Sequence, residues 1–511
     1  MNPRGRYHYR LHSARLRLPR RLTIPIIALA SITTICAPAQ ADQPSAVDHS
    51  REKYFPPIGG PQEMGDCTCW SSAYYYCTYT QARDEGRDAS AGDPRVVCSV
   101  RFLFALIAEG SRGAECTRHA MSRLSDVGCA PISMHSLRER PVQWPTSAGW
   151  LAGLNNRMGA FHAVRIDVDA GLETVKQQIA DGGCAVTRAL FHENYVQYGD
   201  SAGGPGIDNH VMYKGVSGNH LRHSLCICGY DDNVSYYDAD AKEWRSGAFL
   251  IANSEGPDWG WYNTAAPNDP KHTKGYLWVA YQMFRDGEFG RYDNDDNPYV
   301  DPCFDNPDYP EAYFHEDRPH YRPKLYAVAG INHNARNLLT FSGGVGPANA
   351  PEFTGPEAIQ VTDFGDIPID DSRRPVVDLT DGAGLIPPGT TKDVFISLAV
   401  AGSASQAATI TSVDFYCDFD GDGVYSNVPG QMRSAVTVAP GSTGYVSASV
   451  TAPILGDLDG DGSVGLSDQV QLLDHYGTLS NALYAHGDLD CDGDIDLLDL
   501  EALLANCHGR P

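Results

Sequence analysis

Two cysteines stand one residue apart in the segment 62–72, and the second, Cys69, is followed directly by Trp70 and by the aromatic run 73–79. Because that run would bury one side of a helix, the sequence predicts that Cys69 lies at a helix start. Unpaired N–H groups at a helix start favour a thiolate and lower a cysteine pKa below its free value of about 8.5. Thiolate is the attacking form of cysteine, so this position predicts nucleophilic catalysis.

The alternative for Cys69 is that it forms half of a disulfide, as most cysteines of an exported chain do. The number of cysteines bears on this choice. The chain has 14 of them, and removal of Cys36 with a signal peptide would leave an odd number. An odd number in an oxidising compartment leaves one thiol over, as a nucleophile requires.

Two later segments carry a base and a group that would orient it. His223 opens an alternating segment, 223–232, that predicts a buried strand, and Asn253 ends a second apolar strand. A histidine can take a thiol proton and return it to a leaving amine, while a side-chain oxygen fixes the tautomer and plane of the ring. His210 and His220 are near enough in sequence to compete with His223, but only His223 begins a patterned strand.

The segment 62–72 resembles the active-site helix of papain-like cysteine peptidases, in which a Gln lies a few residues before a Cys-x-x-Cys-Trp sequence. A His strand, an Asn-Ser strand, a Trp-Gly turn and a Gly-Tyr strand follow in the family's order over about half of the chain. The resemblance implies an α+β, two-lobed domain that hydrolyses protein or peptide substrates through a thioester acyl-enzyme. It assigns Cys69 as nucleophile, His223 as base and acid and Asn253 as orienter, with no cofactor for catalysis.

The segment before Cys69 departs from the family's pattern. The two cysteines are separated by one residue only, and Gln62 lies one position farther from Cys69 than usual, with Glu63 in the usual place. An ionised Glu63 accepts hydrogen bonds but donates none. We therefore predict that the Gln62 amide and the Cys69 backbone N–H stabilise the oxyanion.

Glu255 stands where the family usually has a tryptophan, whose ring shields the Asn–His hydrogen bond from water. Trp259 or Trp261 would fold back to cover that bond, or Glu255 would bias the imidazole toward its charged form. The sequence leaves these alternatives open.

Composition divides the chain into five parts. Its start carries seven arginines and no acid, then an apolar run and a small-x-small cleavage site, which is typical of a secretory signal. No later segment approaches the roughly 20 apolar residues that span a bilayer, so we expect a secreted or cell-surface attached protein. The predicted parts are a signal peptide (1–41), the peptidase domain (42–287), a linker (288–323), a β-sandwich (324–453) and a small α-helical module (454–511).

The charge of the chain limits its partners. A formal net charge of −25 opposes binding to phosphate backbones, so we expect no nucleic acid partner. Much of the acidity lies in Asp-rich loops, where bound metal would partly neutralise it.

The segment 456–507 contains two copies of one loop-helix pattern. Oxygen ligands at positions 1, 3, 5, 7, 9 and 12, with glycine at 6, have the spacing of an EF-hand-type calcium loop. At position 9 of the first loop stands Gly465, where water would substitute. The predicted ligands are Asp457, Asp459, Asp461, Ser463 and Asp468, then Asp488, Asp490, Asp492, Asp494, Asp496 and Asp499.

With Asp at position 12 and a leucine-rich helix after each loop, this pair resembles a dockerin module. The resemblance implies structural Ca²⁺, which would fold the module because its crowded carboxylates otherwise repel one another, and a cohesin-like partner. A related segment, Asp418-x-Asp420-x-Asp422-Gly423, lies in the β-region with Pro429 at position 12. It is as compatible with a structural turn as with a metal site.

Two other functions stay open. A catalytically inactive papain-like domain would bind peptides, which the presence of Glu255 and the shifted Gln62 would explain. A scaffold or adhesion protein, anchored through the calcium-binding tail, is the second alternative. Labelling of Cys69 by an epoxide separates the first alternative from an active peptidase, and deletion from Gly456 onward tests the second.

Overall fold

The computed structural model describes most of the chain after the predicted signal peptide. In the described part, no helix is long and apolar enough to cross a membrane. The predicted signal peptide (1–41) lies outside the described residues. The described residues are 43–63, 65–107, 117–137, 144–191, 195, 205–216, 221–260, 274–289, 309–356, 369–419, 421, 423, 425–479, 482–489 and 494–507.

A buried helix runs through the segment that carries Cys69. It begins as α1 (Cys67–Cys69), continues as a π-helical stretch (Trp70–Cys77) and ends as α2 (Thr78–Asp84). Every residue of the π-helical stretch is buried, which agrees with its run of aromatic side chains. Segments of π-helix are rare and are frequently found at functional sites. The first turn of this helix therefore carries the predicted nucleophile.

Further helices pack around this one or against the sheet. In α6 the buried residues Leu172, Val175 and Ile179 recur at helical spacing, so one face of the helix is apolar. The helices α3 and α4 pack against the π-helical stretch, whereas α6 and α7 lie against strands. These helices are α3 (Val100–Ile107), α4 (Thr117–Val127), α5 (Ser147–Leu154), α6 (Asp169–Ala180) and α7 (Tyr281–Arg285).

A nine-stranded sheet carries the second part of the site. The strand order is β2-β9-β3-β6-β7-β8-β5-β4, with β1 also paired to β6, and only the β5–β8 pair is parallel. The long strand β6 lies between β3 and β7, and it carries His223. The strands are β1 (Ala46–Asp48), β2 (Phe161–Arg165), β3 (Ala185–Phe191), β4 (Ile207–Asp208), β5 (Val211–Met212), β6 (Leu221–Asp238), β7 (Glu243–Ala252), β8 (Tyr276–Ala280) and β9 (Glu311–His315).

The segment predicted to be a linker, 288–323, contains a strand of this sheet. Within it, β9 pairs with β2 on one side and with β3 on the other. The strand is anchored by Tyr313, which is fully buried, and by Glu311, whose carboxylate forms a buried ion pair with Arg188 and a partly buried one with Arg118. This part of the predicted linker therefore belongs to the fold of the first domain.

The region 324–453, for which the sequence predicts a β-sandwich, contains two antiparallel sheets. One has the order β13-β10-β15-β16 with β17 on β15, and the other has the order β12-β11-β14-β18. Buried and partly exposed residues alternate along β15 and β18, and the buried ones contribute to one apolar cluster. The strands are β10 (Leu325–Asn332), β11 (Leu339–Val345), β12 (Phe353–Thr354), β13 (Val376–Asp378), β14 (Thr391–Val400), β15 (Ala408–Cys417), β16 (Ser426–Pro429), β17 (Val436–Val438) and β18 (Thr443–Thr451).

A buried ion pair joins this region to the first domain. The Arg157 guanidinium, just after α5, lies 2.7 Å from the Asp378 carboxylate at the end of β13 and 2.6 Å from that of Asp381. The apolar cluster also extends without interruption from the helices around Cys69 into both sheets. The mixture of helices and antiparallel sheets fits the predicted α+β class.

The last described segment is a small helical unit. It contains α8 (Leu466–His475), a short 3-10 helix (Tyr484–His486) and α9 (Leu497–Asn506). Equivalent residues of the two sequence copies meet in its core, among them Leu472 of α8 and Leu503 of α9. The repeated sequence therefore corresponds to a repeated structure.

Candidate active site

Cys69 is the last residue of α1 and is fully buried. The residue before the helix, Asp66, forms no side-chain cap, and its carboxylate pairs instead with buried Arg101 at 2.8 Å. The Asp66 backbone oxygen accepts hydrogen bonds from the N–H groups of Cys69 and Trp70, each at 3.0 Å. The Cys69 N–H, one of the two predicted oxyanion donors, is thus engaged in the first turn of its own helix.

His223 and Asn253 meet between neighbouring strands. His223 lies near the start of β6, and Asn253 directly follows β7, which pairs with β6. The His223 Nε2 and the Asn253 Oδ1 are 2.9 Å apart, and both side chains are buried. Burial lowers the pKa of His223 to about 4, against the opposing effect of this hydrogen bond. The ring is therefore neutral near pH 7 and is able to accept a proton.

The hydrogen bonds of Asn253 determine which nitrogen of His223 accepts that proton. The Ser254 N–H donates to the Asn253 Oδ1 at 2.9 Å, and the Asn253 Nδ2 donates to the Tyr195 hydroxyl at 2.6 Å. The amide oxygen therefore faces His223, whose Nε2 must donate to it. This arrangement assigns the Nε2–H tautomer and leaves Nδ1 as the basic nitrogen.

A hydroxyl pair links the Cys69 helix to the His223 strand. The Oγ atoms of Ser71 and Ser224 are 2.8 Å apart in a buried contact. Ser71 lies two residues after Cys69, and Ser224 directly follows His223. Because α1 also packs against β6, the fold brings the segments of the predicted nucleophile and base to one place.

Gln62 lies beside the Asn-Ser turn. Its backbone N–H donates to the Ser254 carbonyl at 2.9 Å, and its Oε1 accepts a hydrogen bond from the Ser254 hydroxyl at 3.0 Å. The chain approaches this turn closely, since a Cβ on Gly60 would lie 2.2 Å from the Ser254 oxygen. With Oε1 held in this way, the Gln62 Nε2 remains as the donor. Glu63 is exposed and lies 3.7 Å from Arg101.

Tyr195 packs beside the His–Asn pair, and Trp259 packs against Tyr195. The ring of Tyr195 lies 6.0 Å from that of His223 and 5.1 Å from that of Trp259. Burial raises the pKa of Tyr195 well above its ordinary value, so its hydroxyl stays neutral. Trp259 therefore contacts Tyr195, and Trp261 lies outside the described residues. Burial also raises the pKa of the Glu255 carboxyl, which disfavours its anionic form.

Sequence reasoning missed Tyr195. The residue stands in no recognisable motif, and it reaches Asn253 only because the fold brings these distant segments together. Of the competing histidines, His210 is buried with a backbone φ of 65°, and His220 lies outside the described residues.

The tail gathers carboxylates in both of its loops. Ligand oxygens of Asp457, Asp459 and Asp468 lie within 4.8 Å of one another, and so do those of a second set in the other loop. The Oδ1 of Asp457 is buried and has no hydrogen-bond partner. Oxygen clusters of this kind are what Ca²⁺ binds, so the residues fit the predicted ion. The second set consists of Asp494, Asp496 and Asp499.

The remaining predicted ligands differ in what they contact. The backbone N–H and hydroxyl of Ser463 both donate to the Asp461 Oδ1, at 2.9 and 2.6 Å. Asp488 is buried, and Asp490 and Asp492 lie outside the described residues. In the first loop Asp468 is buried, yet backbone donors hold its pKa below the ordinary range. It therefore remains an anion.

Comparisons with known proteins give weak similarities. No family model matches the chain, and no curated protein matches it. Three solved cysteine proteases are similar in structure. Xylellain from Xylella fastidiosa is 16% identical, with 49% of this chain and 84% of that chain covered and a TM-score of 0.36. Bromelain from Ananas comosus, in complex with the inhibitor E64, is 11% identical, with 46% and 89% covered and a TM-score of 0.31.

The third similar structure is a cysteine protease from Carica candamarcensis in complex with E-64. It is 15% identical, with 54% of this chain and 99% of that chain covered and a TM-score of 0.32. At these identities and scores the similarities support no conclusion about activity. Any such conclusion must rest on the residues of the site.

Proposed function

We propose that this protein is a secreted, papain-like cysteine endopeptidase in which Cys69 is the nucleophile, His223 the general base and acid, and Asn253 the residue that orients the imidazole. The observation that carries the proposal is the buried His223–Asn253 hydrogen bond. The amide that forms it is fixed by Ser254 and Tyr195, so Nδ1 is left as the base. A merely structural histidine does not require so complete an orientation.

The reaction follows from this tautomer. His223 Nδ1 takes the proton of the Cys69 thiol, and the sulfur attacks the carbonyl carbon of the substrate. The carbon–nitrogen bond breaks as the imidazolium returns the proton to the leaving amine, which leaves a thioester on Cys69. Water then gives a proton to Nδ1, its oxygen attacks the thioester, and the carbon–sulfur bond breaks. The acid product leaves and the thiol is protonated again.

The oxyanion of each step requires donors. The Gln62 Nε2 is the first, because Ser254 holds the other end of that amide. The Cys69 N–H becomes the second only if it turns from the Asp66 oxygen toward the substrate. Removal of one such donor costs about 3 kcal/mol of transition-state stabilisation.

A labelling experiment tests the proposal. The full chain, the variant Cys69→Ala and the control Cys67→Ser are treated with an epoxide that alkylates active-site thiols, then assayed on a peptide library. We expect one adduct on Cys69, its absence in Cys69→Ala, and a fall in hydrolysis of about 10³-fold or more in that variant. Unchanged hydrolysis in Cys69→Ala, or an adduct on Cys67 instead, would contradict the assignment.

One observation favours a second candidate function, a peptide-binding domain without catalysis. The Cys69 N–H is engaged with Asp66, so the second oxyanion donor is withheld in the structure described here. Binding of library peptides without cleavage and without alkylation of Cys69 would establish this candidate.

We further propose that the tail is a calcium-folded docking module for a cohesin-like protein. Its support is an apolar surface on α8, where Leu466, Val470 and Leu473 lie at helical spacing and are each at least half exposed. Leu497, Leu498 and Leu504 are similarly exposed on α9. Calcium-dependent attachment of the full chain to a cell surface, lost when the chain ends before Gly456, is the expected result. Attachment that survives the deletion contradicts it.

A further inference from the structure

The loop 418–425 connects β15 to β16 in the region of two sheets. The two strands pair up to Cys417 and Ser426, where the loop begins and ends. This loop is much longer than the two-residue turn that suffices to close a hairpin. It has the sequence Asp-Phe-Asp-Gly-Asp-Gly-Val-Tyr, with no Lys or Arg between Lys392 and Arg433. Its acidic groups are therefore not balanced by basic residues nearby in sequence.

Asp418 is buried at the base of this loop, with only 5% of its surface exposed. Its Oδ2 accepts a hydrogen bond from the Gly423 N–H at 3.0 Å. Its Oδ1 is also buried but has no hydrogen-bond partner, and no ion pair reaches Asp418 from any residue that the structure describes. A buried carboxylate oxygen without a hydrogen-bond partner is costly, and a cation bound to it would offset that cost.

The same arrangement occurs in the first loop of the tail. There the Asp457 Oδ2 accepts the Gly462 N–H at 2.9 Å, and the Asp457 Oδ1 is again buried without a hydrogen-bond partner. Gly421 and Gly423 have φ angles of 73° and 82°, close to the 75° and 88° of their counterparts in the tail loop. In both loops the first aspartate thus has one buried oxygen without a hydrogen-bond partner, and the glycines at loop positions 4 and 6 have similar φ angles.

We infer that the loop 418–425 is a calcium site in which the Asp418 Oδ1 binds the ion. By sequence register, Asp420 and Asp422 supply carboxylates at the third and fifth positions, and both lie outside the described residues. A set made only of oxygen ligands suits a hard cation, and an irregular set completed by water suits Ca²⁺ better than Mg²⁺, which demands near-ideal octahedral geometry.

The loop lacks a ligand at position 12, where Pro429 stands. Pro429 pairs with Asp414, whose carboxylate is held by Arg374 at 2.9 Å and does not substitute. Water must complete the coordination, which lowers affinity. We expect a Kd on the order of 10⁻⁴–10⁻³ M, the range of extracellular calcium modules.

Calcium at this loop would stabilise the point at which the chain enters the two sheets. The Asp418 N–H donates to the Lys324 carbonyl at 2.8 Å, and the Tyr425 hydroxyl donates to the Pro323 carbonyl at 2.6 Å. Both ends of the loop are therefore attached to the junction between the predicted linker, which ends at Pro323, and the region of two sheets, which begins at Lys324. An ion that orders the loop also orders this segment.

Direct counting of bound calcium tests the inference. The full chain is stripped with a chelator and dialysed against radioactive calcium at about 3 × 10⁻³ M, above the expected Kd. The proteins compared are the wild type, Asp418→Asn, a variant with both tail loops disabled by Asp457→Ala and Asp488→Ala, and the combination of all three substitutions. Asp414→Asn, on the same strand, is the matched control.

We expect Asp418→Asn to remove one bound calcium per chain, both from the wild type and from the variant with disabled tail loops. Asp414→Asn should remove none. The variant with disabled tail loops should retain one. An equal count with and without Asp418→Asn, or no calcium in the tail-disabled variant, overturns the inference. If Asp418→Asn fails to fold by near-ultraviolet circular dichroism, Asp422→Asn is counted in its place and must give the same loss. If the tail does not bind calcium but the loop 418–425 does, the variant with Asp457→Ala and Asp488→Ala binds as much calcium as the wild type.

Discussion

Asn253 is the residue on which the geometry of the proposed site depends. Its Oδ1 accepts from the His223 Nε2 and the Ser254 N–H, and its Nδ2 donates to the Tyr195 hydroxyl. Its backbone oxygen also accepts a hydrogen bond from the Tyr75 hydroxyl at 2.6 Å. A side chain held by so many partners cannot rotate, and the imidazole bound to it keeps one tautomer and one plane.

We predict that Tyr195→Phe slows the proposed reaction without unfolding the protein. The substitution leaves the Asn253 Nδ2 buried and without an acceptor, a cost of about 1–3 kcal/mol, so the amide loses its fixed orientation. We expect kcat to fall about tenfold or more with little change in KM, and alkylation of Cys69 to slow in parallel.

The control for this prediction is Tyr237→Phe, a partly exposed tyrosine at the far end of β6. It should leave both rates unchanged. If Tyr195→Phe retains the wild-type kcat, Tyr195 does not position the pair.

Local sequence patterns indicated those proposed site residues that stand in patterned segments. Cys69 precedes an aromatic run, and His223 and Asn253 stand at the ends of apolar strands, so local patterns indicated each of them. Tyr195 could not be found in this way, because its contact with Asn253 depends on how distant segments pack. The engagement of the Cys69 N–H by Asp66 was equally invisible, since it depends on where the helix begins.

At the scale of elements, β9 is the strand whose place was not foreseen. It stands in a stretch dominated by Asp, Asn, Pro and Tyr, a composition typical of linkers, yet it pairs on both sides with strands of the first domain. Its charged residue Glu311 is buried because Arg118 and Arg188 neutralise it. A search for apolar alternation cannot detect a strand held by a buried ion cluster.

We predict that Glu311→Gln destabilises the protein by about 3 kcal/mol, because it leaves the Arg188 guanidinium buried beside a neutral amide. Urea unfolding of the full chain measures this change. Glu316→Gln serves as the control, since among the described residues this exposed side chain pairs only with the half-exposed His162, at 3.1 Å. The control should change the free energy of unfolding by less than about 0.5 kcal/mol. Similar values for the two variants would show that β9 contributes little to the domain.

At the scale of the whole molecule, buried histidines make stability depend on pH. Burial lowers the pKa of His223, His315 and His135 to about 4 in each case. In the unfolded chain the value is about 6.5, so between these values the unfolded chain binds protons that the folded chain does not. The contribution of these histidines to the free energy of unfolding is fully present above about pH 6.5 and is lost as the pH falls toward 4.

We predict that His315→Gln flattens this dependence. Each such histidine contributes up to about 1.4 kcal/mol per pH unit to the slope of the free energy of unfolding, so the variant should lose roughly that much slope between about pH 6 and pH 5. The measurement is urea unfolding at a series of pH values. A parallel curve for His315→Gln would mean that His315 is protonated in the folded protein.

The regions before and after the predicted linker are joined more closely than their sequences indicate. The contacts of Arg157 with Asp378 and Asp381 cross the predicted boundary, and so does the apolar cluster. The alternating strands of the second region follow from its sequence, since β-branched residues alternate there. Its attachment to the first domain does not, because a buried salt bridge between distant residues leaves no local pattern.

The position of β9 also determines when the nine-stranded sheet is completed during synthesis. A nascent chain that ends before Glu311 has made β2 and β3, yet the strand that separates them in the finished sheet does not exist. Until the ribosome has added it, the edges of β2 and β3 that pair with β9 in the finished sheet have no partner strand there. The sheet that supports His223 is therefore completed only after residue 315 of the 511 has been synthesised.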